Sequence, residues 1–288
     1  MINPVLSRLL DIYPGSGSEG RINSLRDIFQ HIALLGLWRA KFFEHAAFYG
    51  GTALRILYNL DRYSEDMDFS LIKPDGGFKL EPYCKYIEQE LDSYGLSARV
   101  TTKIKNSESQ VKSAFLKADT LEQLLVVEPG LNQQFPGMLP MLKIKIEIDT
   151  DPPPLFQTEV KFLLNPIPFS VKVYDLPSLF AGKMHAVLCR GWKNRVKGRD
   201  WYDLVWFIGR SVPLNLDHLE MRMRQSGHRT TTEPLTENAL QELIRDKIAK
   251  LNIEQAKMDV SRFIVTRDSI EVWSKEFFKE ISGRIKVI

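Results

Sequence analysis

The alternation of apolar and polar residues predicts that strands and helices are mixed in the first half of the chain. Apolar residues recur at helical spacing over 24–43, where Ser24 is a plausible N-cap, and Gly15 to Ser18 are expected to form a flexible break before this helix. Short apolar or alternating runs predict strands at 46–49, 67–72, 97–104, 112–117, 142–149 and 168–174. Two further helices are expected, at 52–59 and 81–93.

The pattern becomes helical from Leu176 onward. Helices are predicted at 177–190, 200–209, 235–251 and 268–282. This asymmetry predicts an α+β fold, in which a mixed α/β domain over 1–170 is followed by a mainly helical domain over 171–288.

Composition indicates a folded protein and no particular partner. Of the 288 residues, 44% are hydrophobic, which is enough for a sizeable core. The net charge is only +3, so any case for nucleic acid must rest on local clusters of basic residues.

The few cysteines and histidines argue against several classes of site. Two cysteines, Cys84 and Cys189, are too few for a disulfide framework, and the five histidines show no HxH or HxxxH pairing, which argues against zinc chemistry. No apolar run is long enough to cross a bilayer, and the N-terminus lacks the pattern of a signal peptide. We therefore expect a soluble, cytoplasmic protein without a membrane partner.

The first candidate site begins where a short predicted strand meets a helix, in the sequence FYGGTALR. Gly50 and Gly51 have no side chains, so the backbone there can approach a bulky anion closely. The helix that starts at Thr52 directs its first N–H groups toward such an anion. The Thr52 hydroxyl is expected to add a donor, and Arg55 a positive charge one turn further on.

Two carboxylates follow within a few residues. Asp66 and Asp68 are two apart on a predicted strand, so both should project from the same face. Paired carboxylates repel each other unless a cation lies between them, and hard oxygen ligands favour Mg²⁺ or Mn²⁺. A phosphate cradle shortly before paired acids therefore predicts metal-assisted phosphoryl or nucleotidyl transfer.

The combined motif resembles that of a known superfamily. Gly-Gly-Thr followed by Ser64-Glu65-Asp66-Met67-Asp68-Phe69 resembles the signature of the DNA polymerase β nucleotidyltransferases, and the fuller GGTALR and R-x-S-E-D-x-D-F pattern, which includes Arg62, resembles the AbiEii/AbiGii toxin family. The resemblance implies a polymerase β-like nucleotidyltransferase domain with a mixed sheet. It also implies that Ser64 belongs to the nucleotide site.

A third acid is expected on the alternating strand KIKIEID. Its isoleucines face one side, while Lys143, Lys145, Glu147 and Asp149 face the other. An amphipathic strand with a solvated face is the simpler interpretation. The superfamily resemblance implies an acid here that binds metal or activates the attacking hydroxyl, and Asp149 is preferred to Glu147 as the third metal ligand.

A second constellation, KMHAVLCR followed by KGRDWYDL, also resembles the AbiEii family. The resemblance implies that Lys183 contacts the nucleotide phosphates and that Asp200 or Asp203 completes the active site. Which aspartate does so stays open, with Asp203 placed among the catalytic residues and Asp200 among the nucleotide-binding ones. The active site is then expected in a cleft that the helical domain completes.

The ten residues RGWKNRVKGR between these helices hold five basic residues and no acid. A solvated loop is the simpler interpretation, but beside a triphosphate site the charges favour a second polyanion. The residues expected to bind RNA are Lys193, Arg195, Lys197 and Arg199.

The leading hypothesis is a metal-dependent enzyme that transfers NMP from NTP to a hydroxyl. The family resemblance implies the toxin of a toxin–antitoxin or phage-defence system, with a cognate antitoxin protein as a partner and RNA, such as a tRNA end, as the acceptor. Two alternatives remain. One is transfer to a protein or small-molecule acceptor, and the other is a non-catalytic nucleotide-binding module.

Overall fold

The chain forms two compact units in the computed structural model, which describes residues 4–12, 17–102, 120–127, 142–190 and 196–288. The first unit comprises Met1–Leu57, Glu65–Pro152 and Val160–Val173. The second comprises Tyr58–Ser64, Pro153–Glu159 and Tyr174–Ile288.

The first unit is built on a mixed sheet. Within the described residues it has seven strands in the order β3-β4-β5-β2-β1-β7-β6. The strands are β1 Ala46–Tyr49, β2 Met67–Leu71, β3 Ala98–Thr102, β4 Thr120–Val127, β5 Leu142–Asp149, β6 Thr158–Leu163 and β7 Phe169–Tyr174. β2 pairs antiparallel with β1 and parallel with β5, so the strand that carries Asp68 is central.

In the described part of the chain, four helices precede or interrupt these strands: α1 Pro4–Ile12, α2 Gly17–Arg39, α3 Gly50–Tyr58 and α4 Glu81–Ser93. One face of the sheet is apolar because Ile144, Ile146 and Ile148 alternate on β5, and all three are fully buried. Phe69 on β2 is fully buried too, and its ring stacks on that of Phe48 on β1, with centroids 4.9 Å apart.

The second unit is mainly helical. Its helices are α5 Leu176–Cys189, α6 Gly198–Gly209, α7 Leu216–Gln225, α8 Glu237–Lys250, α9 Ile253–Val260 and α10 Lys275–Ser282. Aromatic rings fill its core: Phe180 stacks on Phe207 with centroids 4.6 Å apart, and Trp201 meets Phe278 edge-on at 5.0 Å. No helix among the described residues has both the length and the apolar character that a membrane span requires.

Several elements predicted from the sequence are confirmed at their boundaries, including β1, α4 and β5. The helix expected over 24–43 is wrong at both ends, because α2 runs from Gly17 to Arg39 and therefore includes part of the expected flexible break. Ser24 is not an N-cap: it lies within α2, where its hydroxyl donates to the carbonyl of Gly20 at 3.0 Å.

The single helix expected over 268–282 is also wrong. The chain forms a short 3₁₀ turn at Arg267–Ile270 and then starts α10, where Ser274 caps the first turn by accepting a hydrogen bond from the Phe277 N–H. The strand expected over 112–117 lies outside the described residues. The pattern did not predict α1, β4, β6, α7 or α9.

Candidate active site

The turn between β1 and α3 presses the backbone of Gly50 against the carboxylate of Asp68. β1 ends at Tyr49, α3 begins at the next residue, and Gly50 has φ of +82°. A side chain is disfavoured at this backbone conformation. A Cβ atom added to Gly50 would overlap Oδ2 of Asp68 and lie 3.1 Å from its Cγ. Glycine is therefore required here both for the turn and for the space beside the acid.

The acid pair lies at the start of β2. Asp68 is the second residue of this strand, and Asp66 directly precedes it, so the expectation that both lie on the strand holds for Asp68 alone. Asp68 is paired with Tyr49 on β1 and with Glu147 on β5. Both acids are partly exposed.

Two buried side chains fix the backbone that leads into this strand. The hydroxyl of Thr52, which is fully buried, donates to the carbonyl of Asp66. The amide of Gln30 on α2, also fully buried, donates to the carbonyl of Glu65 at 3.2 Å. The Thr52 hydroxyl was expected to donate to a phosphate, and in this structure its proton instead helps to position Asp66.

The charge of Arg55 is likewise engaged. Its Nε and Nη2 atoms donate to both oxygens of Asp27 on α2, at 2.6 to 3.0 Å. The Arg55 side chain is only 17% exposed and that of Asp27 only 3%. Arg55 was expected to supply a positive charge to a bound phosphate, and in this structure the adjacent carboxylate of Asp27 balances that charge. The pair ties α3 to α2.

The strand register places two acids of β5 near the Asp66–Asp68 pair. Glu147 lies directly opposite Asp68, whereas Asp149 lies opposite Ser70, one pair further along. Asp68, Ser70, Glu147 and Asp149 share a face of the sheet, because paired residues project to the same side. Glu147 also forms an ion pair with Lys145. Asp149 is buried and accepts a hydrogen bond from the N–H of Asp151 at 3.2 Å.

The sequence interpretation overlooked a polar stripe on α2. Asn23, Asp27 and Gln30 recur at helical spacing and are at most 8% exposed. Buried polar side chains require partners, and here Asp27 and Gln30 hold Arg55 and the approach to β2. The signal that could have identified them is their regular spacing beside the apolar residues of the same helix.

The donor set of this region fits a hard divalent cation. Asp68 on β2 lies opposite Glu147 on β5, and Asp66, Asp68 and Asp149 offer carboxylates of the kind that bind Mg²⁺ or Mn²⁺. Gly51 and Thr52, both buried, form the first turn of α3, where backbone N–H groups have no partner within the helix and favour an anion.

A second cluster of charged residues lies in the helical unit around Asp203. Nζ of Lys183 on α5 is 2.7 Å from Oδ2 of Asp203 and 3.7 Å from Oδ1 of Asp200, both on α6. Arg62 donates to both oxygens of Asp203 at 2.6 Å. Burial acts to raise the pKa of Asp203, but the charges of Arg62 and Lys183 and their hydrogen bonds outweigh it, so the pKa is lowered.

Asp200 lies at the edge of this cluster. Its side chain is 5% exposed and approaches Nη1 of Arg190 at 3.4 Å. Burial and the charge of Arg190 lower the pKa of Lys197 to about 8, against the opposing effect of Asp200. The guanidinium of Arg199 lies 4.0 Å above the ring of Phe263. The described residues thus place five cations, Arg62, Lys183, Arg190, Lys197 and Arg199, in a cluster with two aspartates.

Other residues expected at the site have different surroundings. Ser64 is buried and belongs to the second unit. Lys193 and Arg195, which were expected to bind RNA, lie outside the described residues. Of the expected RNA contacts, Lys197 and Arg199 are therefore the two whose surroundings are known, and both are half-buried rather than fully solvated.

Comparison with known proteins identifies the family of this arrangement. Residues 32–274 match a family model described as "Nucleotidyl transferase AbiEii toxin, Type IV TA system". No match is found among curated proteins.

Solved structures share the fold. The MenT4 nucleotidyltransferase toxin from Mycobacterium tuberculosis H37Rv is 16% identical, with a TM-score of 0.57 over 99% of this chain and 98% of that chain. JHP933 from Helicobacter pylori is 16% identical, with a TM-score of 0.52 over 91% of this chain and 88% of that one. A putative nucleotidyltransferase from H. pylori is also 16% identical, with a TM-score of 0.50 over 88% of each chain. The predicted fold class, a mixed sheet followed by helices, is confirmed.

Proposed function

This chain belongs to the AbiEii family of nucleotidyltransferase toxins of type IV toxin–antitoxin systems, and we propose that it transfers a nucleoside monophosphate from NTP to a hydroxyl of RNA in a reaction that depends on a divalent metal. A tRNA end is the expected acceptor. Family membership makes the chain an enzyme, which argues against the alternative of a non-catalytic nucleotide-binding module. It also implies an antitoxin partner.

The observation that carries the proposal is the contact between Gly50 and Asp68. The β1–α3 turn places the start of a helix against a carboxylate on the central strand, and no side chain fits between them. In this position the N–H groups of Gly51 and Thr52 are suited to the phosphates of NTP, while Asp68 is suited to a cation beside those phosphates.

The metal is assigned to Asp66, Asp68 and Asp149, with Glu147 as the alternative third ligand. When bound, Mg²⁺ or Mn²⁺ would neutralise phosphate charge and lower the pKa of a coordinated hydroxyl. The protein's part is to hold the carboxylates on one face of β2 and β5 and to fix Asp66 through Thr52 and Gln30. The third acid is suited to accept the proton of the attacking hydroxyl.

Lys183 is assigned to the phosphates of NTP. Its side chain is 15% exposed, so its ammonium can reach a ligand while it is held by Asp203. Asp203 itself has no exposed surface, and both its oxygens accept hydrogen bonds from Arg62. We therefore assign Asp203 as a positioning residue that orients Lys183, in place of the expected catalytic role.

RNA is favoured as the acceptor by the local surplus of positive charge. Lys183, Arg190, Lys197 and Arg199 outnumber Asp200 and Asp203 in the described part of the second cluster. One NTP with its metal carries few net charges, so the surplus, together with Lys193 and Arg195, suits a second polyanion.

The reaction can be tested by following label from each of the four NTPs, supplied with Mg²⁺ and either total RNA or total protein. Incorporation into RNA is expected, and Asp68→Asn should abolish it while the folded state persists. Asp92→Asn, an equivalent change at an exposed position on α4, should keep wild-type activity. Label that enters protein only would refute RNA as the acceptor, whereas full activity in Asp68→Asn would refute the metal assignment.

The role of the basic loop requires a separate experiment. Replacement of Lys193, Arg195 and Lys197 with alanine should weaken RNA binding and flatten its salt dependence, by roughly one unit of log–log slope per lost phosphate contact. NTP binding should change little. Intact RNA binding with loss of NTP binding would instead assign the loop to the triphosphate.

A further inference from the structure

Three side chains with metal-binding atoms converge in the helical unit, in a cluster that nucleotidyl transfer does not use. They are His185 and Cys189 on α5 and His228, which follows α7. One potential ligand atom from each residue lies within 4.8 Å of the other two. The sequence pattern did not predict this cluster, because His228 joins His185 and Cys189 only through the fold.

The fold explains how the cluster forms. His185 and Cys189 are four residues apart on α5, so they lie one above the other on one face of the helix. His228 reaches them because the chain turns back after α7, where its N–H donates to the carbonyl of Met223 at 2.8 Å. The two imidazole rings are nearly perpendicular, with centroids 6.2 Å apart.

Ser226 lies between the two histidines. Nε2 of His185 is 2.9 Å from its Oγ, and Nδ1 of His228 is 3.0 Å from the same atom. Both ring nitrogens therefore point at the same position, which the Ser226 hydroxyl occupies. Cys189 is buried on the inner side of this position, His185 is half-buried and His228 is exposed, so a cation can enter from the solvent beside His228.

We propose that His185, Cys189 and His228 bind one Zn²⁺ ion. Two imidazole nitrogens and one thiolate are a ligand set that zinc prefers, with the fourth tetrahedral position left to water or to the Ser226 hydroxyl. On binding, the Cys189 thiol loses its proton to solvent and its sulfur forms the bond to the metal.

The geometry needs only a small adjustment. In a tetrahedral zinc site the ligand atoms are about 3.3 to 3.6 Å apart, as follows from Zn–N and Zn–S bonds of about 2.0 and 2.3 Å. The observed upper bound of 4.8 Å must therefore close by roughly 1.2 to 1.5 Å. His228 is exposed, so of the three ligands its side chain can move with the least disturbance of the surrounding packing.

The site has a consequence for stability. His185 and Cys189 are on α5, whereas His228 lies beyond α7, so a bound ion would link two parts of the helical unit. A ligand that binds only the folded state raises its apparent stability in proportion to the logarithm of ligand concentration. Zn²⁺ should therefore raise the midpoint of thermal unfolding.

Cobalt provides the direct test, because Co²⁺ occupies zinc sites and gives a charge-transfer absorption band when bound to thiolate. The full-length chain, titrated with Co²⁺ under reducing conditions, should develop this band to one equivalent and lose it when Zn²⁺ is added. Cys189→Ser should abolish the band, and His185→Gln or His228→Gln should weaken Co²⁺ affinity at least tenfold, a typical effect of losing a group that supports a metal site. Cys84→Ser, at the other buried cysteine, should leave the band unchanged.

Two further variants separate this site from the carboxylates and from misfolding. Asp68→Asn should keep the cobalt band, because the aspartates contribute no thiolate. Cys189→Ser buries a hydroxyl in place of the thiol and should lower the midpoint of thermal unfolding without metal. The test is therefore the rise in midpoint on adding Zn²⁺, which should vanish in this variant. The proposal is overturned if the folded wild-type chain shows no thiolate band with Co²⁺, or if Cys189→Ser retains it. Neither outcome would bear on the proposed nucleotidyl transfer.

Discussion

Arg62 donates two hydrogen bonds to Asp203, each 2.6 Å long, and the exposed fractions of the two side chains are only 2% and 0%. Arg62 follows α3, whereas Asp203 is on α6, so the bond spans 141 positions of the sequence. Burial acts to lower the pKa of Arg62, but the charge of Asp203, the hydrogen bonds to it and the charge of Asp200 together outweigh burial and raise the pKa. The two buried charges thus neutralise each other, and Asp203 in turn holds the ammonium of Lys183.

The buried pair should matter for stability. Arg62→Gln leaves the carboxylate of Asp203 buried without its bidentate partner, and breaking such a pair costs about 3–5 kcal/mol. Arg284→Gln is the matched control, because Arg284 pairs with Glu280 at the same 2.6 Å but on an exposed surface. Its loss should cost less than about 1 kcal/mol. Urea unfolding followed by circular dichroism measures both, and equal costs would contradict the assignment of a structural role to Arg62.

The two aspartates of α6 should differ in their effect on transfer. Asp203→Asn removes the 2.7 Å contact that orients Lys183, whereas Asp200→Asn leaves that contact in place. We expect kcat/KM for NTP to fall about 10- to 100-fold in the first variant, as for other groups that position an active residue, and much less in the second.

The effect of Asp203→Asn on protein stability can be separated from its effect on the orientation of Lys183. NTP affinity is measured by calorimetry on variants shown to be folded, at a temperature well below their unfolding midpoints. A merely structural role for Asp203 would leave the affinity of the folded protein unchanged. A larger loss in Asp200→Asn than in Asp203→Asn would reverse the assignment.

The close approach of Gly50 to Asp68 predicts a specific loss of activity. Gly50→Ala forces a Cβ into the Asp68 carboxylate and should displace it, so transfer should fall about 100-fold or more, the usual effect of losing an electrostatic group at a reacting phosphate. Gly227→Ala controls for backbone strain, since Gly227 has φ of +74° and nothing lies within 4 Å of its added Cβ. Comparable activity in the two variants would show that strain, and not the carboxylate, accounts for the effect.

The local elements of this site were predictable because each has a signature within a few residues. The alternation of Ile144, Ile146 and Ile148 fixed both the extent of β5 and the face on which its acids project. Gly50 marked the turn from strand to helix for a similarly local reason, since its backbone conformation disfavours any side chain.

The long-range pairings were not predictable from a single sequence. Arg55 bonds to Asp27 across 28 positions and Arg62 to Asp203 across 141 positions, and no spacing rule connects such residues. In the sequence alone, both arginines therefore look like unpaired cations, and only the fold identifies Asp27 and Asp203 as their partners. The register that sets Glu147 opposite Asp68 was hidden for the same reason, because β2 and β5 are adjacent only in space.

This register predicts how the two candidate third acids can be distinguished. Glu147 lies directly opposite Asp68, and Asp149 is its diagonal neighbour, about 7 Å away between Cα atoms. If Asp149 is the third ligand, Asp149→Asn should abolish Mn²⁺ binding measured by electron paramagnetic resonance, while Glu147→Gln should lower the affinity only modestly by releasing Lys145. The opposite ranking would assign the metal to Glu147 and give Asp149 a local role in holding the N–H of Asp151.

Lys197 predicts a dependence of anion binding on pH. Burial and the charge of Arg190 lower its pKa to about 8, so the side chain loses its proton as the pH rises through that value. A bound polyanion interacts favourably with the charged form alone, and the affinity for RNA should therefore decline between about pH 7 and 9. Lys197→Arg should remove most of this decline, because arginine keeps its charge throughout. Lys250→Arg, at an exposed position on α8, should retain it.

The affinities are measured by fluorescence anisotropy at constant ionic strength. If wild type and Lys197→Arg lose affinity in parallel, the titrating group is not Lys197, and the residue then serves to pack the start of α6 rather than to bind RNA.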